Sequence, residues 1–222
     1  MSDSSNLEVF QDLHFYASNF NHSEFRRAII ENTSPPWRHA EERENLLRAR
    51  AGVEDGILAL ERLGNDDLPH AGLVLWPEDN GFKIVNIVPI NAKELSRSTY
   101  NTILQDFLLK IGQLAATKTS SAYALTKQFQ SIDHWFAPST TEALRRFSAL
   151  ANKSTSGSHP LDRNRWLEFI VDAYRSKRSI DTGLLGRWLV EIEKWPEDGA
   201  HKLIAQYEFA EDLLKKYDES RE

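Results

Sequence analysis

Residues 71–90 read AGLVLWPEDNGFKIVNIVPI, and the fold class turns on how this stretch is read. Two apolar runs, 71–76 and 82–90, flank Pro77-Glu78-Asp79-Asn80-Gly81. Asn-Gly between apolar runs is the strongest short-range hairpin signal, since both residues tolerate the positive φ of tight turns. With the run ILALERL at 57–63 upstream, the spacing predicts three strands joined by short links. Such links cannot make a parallel crossover, so the meander must be antiparallel. Apolar residues fall on both faces of 82–90, which predicts a strand covered on both sides.

Working outward, 9–16 is rich in β-formers and reads as a strand. A short helix follows, with Asn21 or Ser23 as its cap and Phe25, Ala28 and Ile29 on one face. Ser34-Pro35-Pro36-Trp37 stops it, and EERENLLRARAG reads as a charged helix ending near Gly52. Beyond the meander, Tyr100, Ile103, Leu104, Phe107, Leu108, Ile111 and Leu114 repeat at helical spacing within 96–114. A further strand is expected over 121–130.

From about 139 the apolar period is helical throughout. Ser139-Thr140-Thr141-Glu142 has capping-box spacing. Three more helices are marked by Trp166 to Tyr174, by Leu184 to Ile192 behind Asp181, and by Leu203, Tyr207, Ala210, Leu214 and Tyr217 behind Trp195-Pro196-Glu197-Asp198. The expected architecture is α+β: a mainly antiparallel sheet flanked by helices over 1–137, then a helical subdomain over 138–222 with a junction loop at 152–160.

Composition narrows the chemistry. The 222 residues include no cysteine, so disulfides, thiolate zinc sites and cysteine nucleophiles are excluded. Net charge is −6; residues 1–100 hold 16 acids against 10 bases, whereas 101–153 hold 3 against 6. Nucleic-acid affinity rests on clustered Lys and Arg, so nucleic acid is not an expected partner. No apolar run approaches the ~20 residues that span a bilayer, and MSDSSNLEVF lacks the pattern of a secretory signal. A cytoplasmic location without membrane contact is the expectation.

The stretch FSALANKSTSGSHPLDRNRW at 147–166 resembles a phosphate-binding loop at first sight. A P-loop, however, sets Lys after two glycines and follows a strand. Here Lys153 precedes Gly157 and the upstream element is a helix. The segment reads as a solvated junction, with an anion-binding set of Lys153, His159, Arg163 and Arg165 as the functional candidate beside a helix start. Trp37-Arg38-His39 with Glu41-Glu42-Arg43-Glu44 is a second candidate ligand face. Trp195, in a turn beside Pro196, is the candidate exposed anchor for a partner; Trp37, after two prolines, reads as the anchor of a loop, with a place in such a partner patch as its alternative. The seven histidines show no metal-ligand spacing, and no G-x-S-x-G or G-x-G-x-x-G occurs. No motif asks for a metal or cofactor.

The order strand, two helices, three-strand meander, helix, strand resembles the opening of the GNAT acetyltransferases. In that family the loop after the fourth strand binds pyrophosphate through a glycine-rich motif. The corresponding residues here, Val88-Pro89-Ile90-Asn91-Ala92-Lys93-Glu94-Leu95-Ser96-Arg97, contain no glycine. The resemblance implies an acyl-CoA-dependent transferase whose cofactor meets 89–97. The absence of every catalytic motif favours instead a protein that acts by protein–protein contact, homo-oligomerisation being compatible with it.

Overall fold

A computed structural model describes residues 5–51, 56–91, 93–178 and 180–221. The chain forms two compact units: Glu8–Gln128, and the N-terminal stretch through Leu7 together with Phe129–Glu222. The handover at 128/129 precedes the boundary read at 137/138, because Ile132 and Phe136 are packed into the core of the helical unit.

In chain order the elements of the first unit begin with β1 (Leu7–Glu8), which bridges its start, and β2 (Leu13–Tyr16). Then come α1 (His22–Asn32), β3 (Trp37–His39), α2 (Glu41–Ala51), β4 (Leu58–Arg62), β5 (Ala71–Glu78), β6 (Gly81–Ile84) and β7 (Ile87–Pro89). A long helical stretch follows as α3 (Arg97–Phe107), a π turn (Leu108–Gly112) and α4 (Gln113–Lys118), and β8 (Ala122–Leu125) ends the unit. The strands lie in the order β3-β4-β5-β6-β2-β8, with β7 also on β5, and the pairings are antiparallel. The α+β class expected from the meander is what the chain adopts.

The period of two divides the sheet's side chains. Leu58, Leu60, Leu73 and Leu75 join Leu13, Phe15 and Phe82 in the core shared with α1 and α3. Ile57, Ala59 and Val74 face the other way, where Ala40 and Leu47 cover them. The β5–β6 hairpin turns through Asp79-Asn80, with Glu78 opposite Gly81. Gly81 is therefore a strand residue, required for proximity rather than for positive φ: a Cβ there would stand 1.8 Å from the Phe15 carbonyl oxygen.

Three sequence readings are corrected. The run 82–90 is not one covered strand: it breaks at Val85-Asn86 into β6 and β7, and Val85, Val88 and Ile90 are 44 %, 39 % and 37 % exposed. Leu114 is 51 % exposed, with Ala115 and Ala116 buried in its place. The π turn supplies the reason, because one extra residue per turn rotates everything after it by about 100°. The capping box at Ser139 is unused, since Pro138 takes the first helical position and Ser139 is already inside the helix.

The second unit carries β9 (Phe129–Gln130), then α5 (Pro138–Leu150), α6 (Pro160–Arg175), α7 (Thr182–Arg187) running on through a π turn (Trp188–Ile192), and α8 (Glu197–Glu219). Its core is aromatic: Phe147, Trp166, Phe169, Trp188, Trp195 and Tyr207 are each at most 2 % exposed. Asp181 caps α7 as its position suggested, accepting from Leu184 N at 3.0 Å. No helix among the described residues is long and apolar enough to cross a membrane.

One charged residue ties the first unit together. Glu44 of α2 is 1 % exposed and accepts from Arg26 of α1 (2.6 Å), His39 of β3 (2.9 Å) and the Ala59 amide of β4 (3.1 Å), with Arg48 at 2.7 Å. Burial opposes ionisation, but the hydrogen bonds from Arg26, His39 and Ala59 outweigh it and hold the carboxyl below its usual range. Its stabilising effect is thus present above the unfolded carboxyl pKa of about 4.3 and is lost as pH falls through the lower folded value. Glu44→Gln should reduce the urea-unfolding free energy by about 3 kcal/mol at neutral pH, by stranding its cations. The gap between variant and wild type should narrow below pH ~4; a constant gap from pH 7 to 3 would show that the charge does not matter.

Candidate functional site

The Trp37-Arg38-His39 and Glu41–Glu44 segments do converge. Arg38, His39, Glu41, Arg43, Leu46 and Glu61 are among the residues around a cleft of about 520 Å³ between β3, β4 and α2. Its floor is a paired charge array. Arg38 Nε donates to Glu61 Oε2 at 2.7 Å, and His70 Nε2 lies 2.6 Å from Glu61 Oε1. Burial opposes ionisation of Glu61, and hydrogen bonds from Arg38 and His70 reverse this, so its carboxyl is lowered. The Arg43 guanidinium lies over Gly72, where a Cβ would come within 2.3 Å of Nη1. Among the described residues, the lining holds no hydroxyl and no amine.

Trp37 is 2 % exposed, and its indole N–H donates to Asp106 Oδ2 at 2.8 Å. Trp195, also 2 % exposed, stacks on Phe147 at 5.2 Å and donates to Ser148 Oγ at 2.8 Å. Neither presents a surface to a partner, which corrects the reading of Trp195 as an exposed anchor and the alternative that placed Trp37 in a partner patch. The neighbouring prolines mark chain turns that direct the indoles inward. Their N–H groups are satisfied there by one acid and one hydroxyl, as buried indoles require.

Of the anion-binding set, Lys153, His159 and Arg165 have partners within the unit. In the loop between α5 and α6, Asn152 Oδ1 accepts from Ser154 N at 3.1 Å, and the chain turns through left-handed Ser156 and Gly157 (φ +56° and +64°). Gly157 fits because φ near +60° is costly for residues with a Cβ. Lys153 Nζ donates to the Glu193 carbonyl and stands 5.9 Å from the Trp195 ring centroid. His159 caps α6, its Nδ1 accepting from Leu161 N at 3.3 Å. Arg165 pairs with Asp162 at 2.9 Å, and Asp162 also accepts from Asn152 N at 3.1 Å. Arg163 is exposed.

Two further surface features stand out, the first at the 89–97 segment that the sequence singles out and the second not foreseen in it. A second cleft, of about 470 Å³, lies between Phe10, the β6–β7 break and the start of α3, against the segment 89–97. On α8, Phe209, Leu213 and Tyr217 are 70 %, 57 % and 51 % exposed. The signal for the stripe was present as i, i+4, i+8 spacing. It was masked by the buried series Leu203, Tyr207, Ala210 and Leu214 on the same helix, into which Tyr217 was read.

No protein-family model matches the chain, and no curated protein or solved structure does so significantly.

The indole assignments have a direct check. Ser148→Ala should leave the Trp195 N–H unpaired and lower stability by roughly 1–3 kcal/mol. Acrylamide should quench Trp195 only weakly; strong quenching of a chain retaining Trp195 as its sole tryptophan, folded by circular dichroism, would contradict its burial.

Proposed function

We propose that the protein acts by protein–protein contact, with the exposed face of α8 received in an apolar groove of a different protein. The observation that supports this reading is the stripe of Phe209, Leu213 and Tyr217, large apolar side chains on successive turns that the chain itself leaves uncovered. Single exposed apolar residues are ordinary, but a contiguous row on one helix face is the usual form of a helix-in-groove anchor. The row is bordered by Glu208, Asp212, Lys202 and Lys216, which would form the polar rim such interfaces carry.

The paired carboxylates at Glu44, Glu61 and Asp106 fit a binding protein better than a catalyst, since their lone pairs already serve structural cations. The acyl-CoA reading is set aside on chemistry, because 88–97 offers no glycine to let its backbone approach a pyrophosphate.

A photo-crosslinking residue placed at 209 or 213 in cells should give one discrete heterologous adduct. The same residue at Asp198, in the first turn, should not, and Leu213→Glu should abolish the adduct from 209. An adduct with a second copy only, or none from either position, would overturn the reading.

A further inference from the structure

The seven-stranded sheet has two edges, and they are built differently. At one end stands β3, three residues long, which follows Pro35-Pro36 and carries Arg38 and His39. Short length, proline and charge are the devices by which natural sheets keep an edge from pairing with another chain. The β8 edge lacks proline and charge. Its residues are Ala122-Tyr123-Ala124-Leu125, and the first three are exposed.

The ladder shows which backbone groups of β8 remain open. Thr126 N donates to the Asp12 carbonyl at 3.0 Å, and the same register continues through His14↔Ala124 and Tyr16↔Ala122. Antiparallel pairs alternate between hydrogen-bonded and non-hydrogen-bonded, so Ala122, Ala124 and Thr126 turn their backbone groups toward β2. On the other side of β2, Ala17 N donates to the Asn80 carbonyl at 3.2 Å, which sets the complementary alternation with β6. The N–H and C=O groups of Tyr123 and Leu125 therefore point outward, where no strand among the described residues pairs with them.

An apolar flank accompanies this edge. Gln113 Nε2 donates to the Tyr123 hydroxyl at 2.9 Å, and Gln105 Nε2 donates to Gln11 Oε1 at 2.7 Å. The side of the helical stretch that carries 105 and 113 thus faces the β2–β8 end of the sheet. Leu109 lies midway between them, on the same side, and is 64 % exposed; Tyr123 is 41 % exposed.

We infer that β8 is a dimerisation edge, pairing antiparallel with β8 of a second copy of this chain about a two-fold axis at Ala124. Tyr123 exchanges both backbone bonds with Leu125 of the second copy, Ala124 stands against its own counterpart, and Ala122 faces Thr126. This register is self-complementary, as a two-fold contact requires, and Lys127 falls opposite Ser121 rather than opposite a like charge. The flank selects a second copy over an extended peptide. The two-fold sets the helical stretches of both copies side by side on one face of the joined sheet, which covers Leu109 and Tyr123. A lone strand fills the edge and leaves Leu109 in water. This surface is independent of the α8 face.

Sedimentation equilibrium of the full chain across the micromolar range should show a reversible monomer–dimer equilibrium. Ala124→Lys and Ala124→Glu, at an exposed position, each set like charges against each other across the axis. Either variant alone should dimerise about fivefold more weakly, and an equimolar mixture of the two should associate more tightly than either alone. Amide exchange followed by NMR should show protection gained with concentration at Tyr123 and Leu125 but not at Ala124, whose N–H is already turned to β2. Leu213→Glu on α8 should leave the dimer intact. The inference is overturned by a monomer throughout that range, by a dimer indifferent to Ala124→Lys or lost with Leu213→Glu, or by protection gained only at other amides.

Discussion

Glu44 is a carboxylate 1 % exposed to solvent, and its partners come from α1, β3, α2 and β4 at once. An isolated buried charge is untenable in a protein interior, so the docked position of α2 depends on partners from all of these elements. This explains how α2 is held although its sequence, EERENLLRARA, offers little apolar area. Leu47 and Ala40 cover only the small cluster of Ile57, Ala59 and Val74. The docking of α2 rests on directed hydrogen bonds more than on burial. Its register is set accordingly, since sliding by one residue would remove Glu44 from all of its donors.

The same device recurs on the opposite face. Asp106 of α3 receives the Trp37 indole at 2.8 Å and Lys110 at 2.6 Å, with Arg62 at 3.4 Å. Arg62, 3 % exposed, also donates to the carbonyls of Leu63 and Leu68. A single arginine thus satisfies the backbone of the β4–β5 connection while anchoring it to α3. The helical unit is held differently, by rings packed against rings: Phe147 lies between Trp166 at 4.9 Å and Trp195 at 5.2 Å. Directional polar hubs organise the sheet unit and aromatic packing organises the other.

What could be read from the sequence follows this division. Where burial alone decides structure, the apolar period was sufficient: the meander and the helices of the C-terminal unit were legible, while local side-chain chemistry offered Asp181 as one cap and Asn21 or Ser23 as another. Where a polar partner or a backbone irregularity decides, it was not. Trp195 reads as an exposed anchor because nothing in its neighbourhood announces Ser148, forty-seven positions away. The break at Val85-Asn86 was hidden because an apolar residue beside a cleft and one inside a sheet look alike in a hydrophobicity pattern. Tyr100 was correctly placed on the buried face of its helix. The lack of a partner for its hydroxyl is a property of the tertiary structure only.

The π turn at Leu108–Gly112 does more than displace Leu114. Before it, Tyr100, Ile103, Leu104 and Phe107 present bulky side chains to the core, whereas after it the buried positions are Ala115 and Ala116. The extra residue also sets Gly112 against the Phe15 ring, whose Cζ would be 2.8 Å from a Cβ. Backbone irregularity and small side chains therefore form one linked trait. A homologous chain one residue shorter in this turn would continue as a plain α-helix and bring Leu114 inward, where space has been left for alanine. Insertions and deletions at 108–112 should accordingly appear in evolution together with volume changes at 112, 115 and 116, as a paired signature rather than as independent drift.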